Sequence, residues 1–244
     1  MSIPRTLLAL SICSALWAAD PPTVIRVMRC ASLDDGRAYS EIHSPVAVLG
    51  AASASGRSES WFFELHGSFE SVEAFDHSVS PTHTGVPYSD DVLPPSRTLI
   101  ALYRPGLSHR AEEAVRATQK ARYLMITIYR IRPGKEAGFA DLVRIRRFHY
   151  ENINFDQPEL AYQVIAGAPA GTYALVMPLA SLKTFDEGLN RAPDGPRVAG
   201  PNEQNLAGDV EIAHENFLFR LDPHNSYVSD DFAAGDPEFW RPKN

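Results

Sequence analysis

The chain has 244 residues, of which 44% are hydrophobic, enough to bury one large core or two smaller ones. Its formal net charge is -7, so we expect neither a nucleic-acid backbone nor an anionic membrane surface as a partner. Beyond the N-terminus, no segment is long and apolar enough to predict a membrane span.

The N-terminal segment predicts export. Arg5 supplies a positive charge, and the apolar run over 7–17 has the length of a signal-peptide core but is too short to cross a bilayer. We therefore expect a signal peptide over 1–19, with a buried N-terminal strand as the alternative. Once this signal peptide is cleaved, Cys30 is the only cysteine that remains, so we expect no internal disulfide.

The first half of the chain predicts the order strand, helix, strand, strand, helix, strand. Alternating β-branched residues mark the first strand, Pro45 stops the first helix, and Ser71 is the candidate N-cap of the second helix. The predicted elements are a strand over 24–30, a helix over 34–44, strands over 46–50 and 60–66, a helix from Ser71 and a strand over 98–104.

The second half predicts the same order again, after a connecting helix of strong helix formers. Its predicted elements are a strand over 123–131, a helix over 136–150, strands over 161–166 and 171–177, a helix from Ser181, a loop over 190–208 and a strand over 211–221. Aromatic residues in the tail from Asp222 onward indicate that the tail packs onto the body.

Local sequence similarity supports a duplication. The segment SVEAFD over 71–76 recurs as SLKTFD over 181–186, and each copy follows a hydrophobic run. The first strands, VIRVMR and MITIYR, also match in pattern. Because self-similarity of this kind indicates repeated structural units, we divide the chain into five parts. They are the signal peptide over 1–19, a first unit over 22–110, a connecting helix over 111–122, a second unit over 123–222 and a tail over 223–244.

The repeated βαββαβ order, with Ser-[Val/Leu]-x-x-Phe-Asp opening each second helix, resembles the dimeric α/β-barrel superfamily. That group includes antibiotic-biosynthesis monooxygenases, NIPSNAP proteins and heme-handling chlorite-dismutase-like proteins. The resemblance implies an α+β fold in which two tandem ferredoxin-like units close into one intramolecular barrel. The NIPSNAP proteins are the preferred relatives, since they often have tandem units without an obvious catalytic set. The resemblance implies no required cofactor, with heme as an alternative, and allows a homo-oligomer.

Strand alternation predicts which side chains enter the barrel. Uniformly apolar positions of the two first strands, such as Ile25 and Ile126, are assigned to the face beneath the helices. The alternate positions are mixed in polarity, as expected of a surface that lines a ligand. We therefore predict four ligand-binding residues inside the barrel, namely Arg26, Met28, Thr127 and Tyr129.

Glu64 and His66 are the candidate catalytic residues. They lie two apart on a predicted strand and so share a face, which we assign to the barrel interior together with Arg26. Such a pair could exchange protons with a substrate or supply two ligands to a metal that needs a third. Alternatively, Glu64 could simply neutralise Arg26. No His-Glu-x-x-His motif is present, and no metal site is predicted.

Three functions follow as hypotheses. The first is a binding module that holds a small apolar or aromatic molecule in the barrel. The second is a cofactor-independent or heme-using oxygenase, with His66 or Glu64 as base and with Tyr129 and Arg26 binding an oxyanion. The third is a structural protein whose barrel is filled by its own side chains. A roomy apolar cavity together with a direct Arg26–Glu64 pair would favour the first hypothesis.

Overall fold

The computed structural model describes residues 20–33, 46–55, 59–78, 97–152, 157–184 and 201–242. The strands are β1 (Val24–Cys30), β2 (Ala47–Ser53), β3 (Ser60–His66), β4 (Arg97–Tyr103), β5 (Tyr123–Ile131), β6 (Leu160–Ala166), β7 (Thr172–Leu179) and β8 (Glu211–Tyr227). The helices are α1 (Phe69–Ser78), α2 (Ala111–Thr118), α3 (Glu136–Asn152), α4 (Pro201–Val210), α5 (Asp230–Ala233) and α6 (Pro237–Trp240).

The strands form one closed barrel in the order β1-β3-β2-β8-β5-β7-β6-β4, and every neighbouring pair is antiparallel. Strands of the first half form the continuous arc β4-β1-β3-β2, and strands of the second half form β8-β5-β7-β6. The arcs join at β2–β8 and at β4–β6, so the edge strands of each arc are covered by the other. The predicted α+β fold of two tandem ferredoxin-like units in one intramolecular barrel is confirmed.

Aromatic side chains fill one end of the barrel interior. Trp61 lies 4.5 Å from Phe219 and 5.2 Å from Phe217 between ring centroids, and it also contacts Phe63. This cluster lies where β1 ends, because Trp61 pairs with Arg29 of β1. Each tilted aromatic pair of this kind contributes about 0.5–1.5 kcal/mol beyond the stability that comes from burying its two rings. This end of the barrel is therefore a packed core.

Helices cover the outside of the barrel and create two smaller cores. Phe75 of α1 packs with Phe62 of β3 on the outer face of the first half. Phe139 and Leu142 of α3 pack with Tyr129 on the outer face of the second half. Each sheet thus has an inner face that contributes to the barrel core and an outer face that contributes to a helix–sheet core.

The end of β8 differs from the prediction. The strand was expected to end at residue 221, but it continues to Tyr227 across an irregular pairing with β2. The Ser226 hydroxyl donates to the Asp222 carbonyl at 2.6 Å and accepts from the Gly50 amide at 2.9 Å. Glycine is required at position 50, since an added Cβ would overlap the carbonyl oxygen of Asn225.

Two helix predictions also need correction. Helix α1 begins at Phe69 rather than Ser71, and the Ser68 hydroxyl accepts from the Ser71 amide at 3.1 Å, so Ser68 is the capping side chain. The end of the predicted loop over 190–208 instead belongs to α4, which has a proline at its first position. The predicted signal peptide and first helix, and most of the helix predicted from Ser181, lie outside the described residues.

The tail packs as predicted. Phe232 and Trp240 are buried, and the Trp240 indole donates to the Gln119 carbonyl at 2.7 Å. Arg122 adds an ion pair with Asp236 at 2.5 Å. The tail therefore lies against the segment that follows α2. Within the described part of the chain, no helix has both the length and the hydropathy needed to cross a membrane.

Candidate functional site

The barrel interior is lined by the uniformly apolar residues, which the sequence analysis had assigned to the face beneath the helices. Ile25 pairs with Leu65 and Val27 pairs with Phe63, and all four belong to the interior core or pack against it. The prediction that the polar positions enter the barrel is therefore wrong. The residues that lie on the outer face instead are Arg26, Met28, Glu64, His66, Thr127 and Tyr129.

Two physical reasons explain this inversion. A closed barrel end packed with side chains excludes water, so it requires the uniformly apolar positions, whereas the outer face meets polar groups carried by the helices. In addition, aligning the two copies at Ser71 and Ser181 places their preceding strands one residue out of register. His66 lies five positions before Ser71, whereas the structurally equivalent Met177 lies four positions before Ser181. A one-residue shift in a strand exchanges its two faces.

Arg26, Glu64 and His66 do come together, as predicted, but beneath α1. The Arg26 Nε donates to Glu64 Oε2 at 2.6 Å, and its Nη1 donates to Asp76 Oδ1 at 2.6 Å. Burial lowers the pKa of Arg26, but the hydrogen bonds and charges of Glu64 and Asp76 raise it above its usual value. Glu64 and His66 are each 1% exposed. Arg26 and Glu64 thus form a direct pair in which the carboxylate is buried and the guanidinium is 16% exposed.

His66 extends this network to α1. Its Nε2 lies 3.1 Å from Glu64 Oε2 and its Nδ1 lies 3.2 Å from the Ser71 hydroxyl oxygen. Because the carboxylate only accepts, Nε2 carries the proton and Nδ1 accepts from Ser71. The His66 ring also meets the Phe75 ring edge-on at 5.7 Å. The imidazole is thus enclosed by α1 and β3, which favours the structural role that the sequence left open.

Met28, Thr127 and Tyr129 also lie outside the barrel. Met28 packs against the core beneath α1. The Thr127 hydroxyl donates to Asn216 Oδ1 at 2.8 Å, and the Tyr129 hydroxyl accepts a hydrogen bond from Arg146 of α3. Thr127 and Tyr129 line a small cavity beneath α3, whereas the Arg26 network lies beneath α1. The single shared cavity expected from the sequence is therefore two separate environments.

A pocket does exist inside the barrel, at the end where β1 begins. Its volume is about 40 Å³. Helix α2 and the tail close this end of the barrel. We call this space the barrel pocket, and its lining residues are Pro22, Ile25, Leu49, Phe63, Leu65, Val115, Thr118, Leu124, Leu160, Tyr162, Val176 and Phe232.

The barrel pocket has two polar side chains and no charged one. The Thr118 hydroxyl is already used, since it donates to the Ala114 carbonyl of its own helix at 2.8 Å. Tyr162 is 2% exposed, and its ring centroid lies 5.9 Å from that of Tyr103. Burial raises the pKa of Tyr162 well above its ordinary value, so the phenol stays neutral. The lining of the barrel pocket is thus apolar apart from one hydroxyl bonded within its own helix and one neutral phenol.

Sequence reasoning missed Tyr162 although a signal was present. The apolar side chains at positions 160, 162 and 164 of β6 alternate in the same way as those of β1 and β5. Assigning the uniformly apolar face to the interior would have placed Tyr162 inside the barrel. No local pattern could have placed Val115 and Phe232 there, because they reach the pocket from a helix and from the tail.

No protein-family model matches the chain, and no curated protein matches it. Solved structures do. A candidate monooxygenase from Fusobacterium nucleatum has a TM-score of 0.51 at 7% identity, over 81% of this chain and 91% of that chain. A chlorite dismutase variant from Candidatus Nitrospira defluvii, in complex with cyanide, has a TM-score of 0.51 at 8% identity, over 88% of this chain and 96% of that chain. The chain therefore shares the dimeric α/β-barrel fold.

Proposed function

We propose that this protein binds a small, neutral, aromatic or apolar molecule in the barrel pocket. The observation that supports this function most directly is the barrel pocket itself, whose lining is apolar except for Thr118 and the neutral Tyr162. Apolar pockets with one or a few placed polar groups are typical of small-molecule sites. Because Arg26 and Glu64 pair directly with each other, catalysis at those two residues is disfavoured.

The experiment is a calorimetric titration with phenol, a neutral ring that carries one hydroxyl. We expect saturable binding to the unmodified protein and at least about fivefold weaker binding to Tyr162→Phe, which keeps the ring and removes the hydroxyl. Val176→Phe, which fills the pocket from β7, should abolish binding. Tyr103→Phe is the matched control, because the Tyr103 ring lies 5.9 Å from that of Tyr162 but does not line the pocket. Equal affinity in all four proteins would refute the proposal.

An oxygenase is the second candidate. The fold is shared with a protein named as a monooxygenase and with a chlorite dismutase. The residues first assigned to such chemistry, Glu64 and His66, are enclosed beneath α1, so a reaction there would require α1 to move. Oxygen uptake in the presence of phenols that occupy the barrel pocket would support this candidate if Tyr162→Phe reduced the uptake.

Heme does not fit either space as the structure has it. The barrel pocket and the cavity beneath α3 have volumes of about 40 Å³ and about 30 Å³. Both volumes are far smaller than a heme macrocycle needs. An absorbance spectrum of protein purified from its exported fraction tests this directly, and a Soret band would overturn the assignment.

Export, a NIPSNAP relationship and self-association are further parts of the proposal. Arg5 and the apolar run over 7–17 support export. The tandem βαββαβ units support the NIPSNAP relationship. Intact mass spectrometry of the exported protein would give the cleavage site, and native mass spectrometry of the same sample would give the number of subunits and any retained ligand.

A further inference from the structure

A second cavity lies on the outside of the barrel, between the sheet of the second half and α3. Its floor is apolar and is formed by Met125, Leu175 and Met177. Two cations of α3, Arg146 and Arg147, form part of its wall. Its volume is about 30 Å³. It is separated from the barrel pocket by the sheet itself, since the two spaces are lined by opposite faces of β5 and β7.

The two arginines have different surroundings. Arg146 donates to the Tyr129 hydroxyl and lies 3.5 Å from a carboxylate oxygen of Glu211, so its charge is compensated. The Nε and Nη2 of Arg147 are both buried, and neither has a hydrogen-bond partner within the described residues. Burial lowers the pKa of Arg147, although the charge of Glu159 opposes that shift. Arg147 therefore presents two donors that the protein leaves unsatisfied.

Glu159 does not supply the missing partner. Burial raises the pKa of Glu159 to about 7, and the nearby charges of Arg147 and Arg146 only reduce that shift. Near neutral pH a substantial fraction of this carboxyl is therefore uncharged. Its backbone pairs with His109 rather than with α3. The cavity thus combines a net positive charge with an apolar floor.

Adjacent Nε and Nη donors of a guanidinium match the two oxygens of a carboxylate. An unsatisfied buried donor is costly, and a bound carboxylate would remove that cost. The apolar floor and the small volume favour a short, branched hydrocarbon body. We infer that Arg147 binds the carboxylate of a small aliphatic acid, whose hydrocarbon part lies against Met125, Leu175 and Met177. This site is independent of the proposed barrel ligand.

The test is a calorimetric titration with isobutyrate, beside its neutral analogue isobutyramide. We expect saturable isobutyrate binding to the unmodified protein and at least about tenfold weaker binding to Arg147→Gln, because charge-assisted hydrogen bonds are lost. Arg144→Gln is the matched control, since Arg144 is on the same helix but is 74% exposed and pairs with Asp141. Isobutyramide should bind weakly to all three proteins.

Arg147→Gln should fold, because the substitution removes a partly buried cation whose Nε and Nη2 have no hydrogen-bond partner within the described residues. Its urea midpoint is expected to be at least equal to that of the unmodified protein. Three results would overturn the inference: no saturable isobutyrate binding, equal affinity in Arg147→Gln, or binding of inorganic phosphate as tight as that of isobutyrate. Val176→Phe, which fills the barrel pocket, should leave isobutyrate affinity unchanged.

Discussion

At the residue scale, the Glu64 carboxylate is the centre of the network beneath α1. It accepts from Arg26 and His66 while being 1% exposed. Glu64→Gln keeps the shape but leaves Arg26 facing only the exposed Asp76, so we expect a loss of about 3 kcal/mol in unfolding free energy. Asp76→Asn, at a carboxylate that is 57% exposed, should cost about 1 kcal/mol or less. Urea unfolding measures both, and equal losses would contradict this view of the network.

Glu159 makes stability depend on pH. Because burial raises its pKa to about 7 from 4.5, the folded protein holds a proton that the unfolded chain has released over this window. Stability from this group is therefore complete below pH 4.5 and is lost as the pH rises through 7, by up to about 3 kcal/mol. Glu159→Gln should remove this decline. Urea midpoints of both proteins between pH 4.5 and pH 8 check the expectation, and parallel curves would contradict it.

At the element scale, the sequence predicted the strands well because their signals are local. Alternating β-branched residues gave β1 at its observed bounds, and hydrophobic runs gave β3 and β5 at theirs. Which face of those strands points into the barrel was not predicted correctly, because it depends on which face the rest of the fold shields from water. The course of β8 beyond residue 221 also depends on a distant partner, since Gly50 must admit the carbonyl of Asn225.

That contact gives an element-scale prediction. Gly50→Ala places a Cβ against the Asn225 carbonyl at the β2–β8 junction, which must then shift. We expect a loss of about 1–3 kcal/mol in unfolding free energy, as for other overpacked sites. Gly67→Ala is the matched control, because nothing lies within 4 Å of a Cβ at that position, and it should change stability by less than about 0.5 kcal/mol. Similar urea midpoints for the two variants would contradict the expected overlap at the β2–β8 junction.

At the scale of the whole molecule, both candidate sites combine residues from distant parts of the chain. Tyr162 of β6 meets Val115 of α2 and Phe232 of the tail in the barrel pocket. Arg147 lies on a helix at the surface of the barrel, and two nitrogens of its guanidinium are buried. The charge of a residue can be read from a sequence, whereas the loss of its hydrogen-bond partners follows only from tertiary packing. For this reason the fold was predictable and the sites were not.

The tail provides the last test, since it joins stability to the barrel pocket. Trp240 is 2% exposed, donates to the Gln119 carbonyl and lies 5.3 Å from the ring of Phe232, which lines the pocket. Trp240→Ala should cost about 3–5 kcal/mol in unfolding free energy. Phe148→Ala, at a side chain that is 65% exposed, should cost less than about 0.5 kcal/mol.

Loss of Trp240 should also weaken phenol binding severalfold, because Phe232 would lose the ring that holds it over the barrel pocket. Calorimetry on the folded variant measures this effect separately from stability. Unchanged phenol affinity beside a large loss of stability would mean that the tail supports the barrel without shaping its pocket. A parallel loss of both would make the tail the element that closes the binding site, and would explain why its aromatic residues are buried rather than exposed.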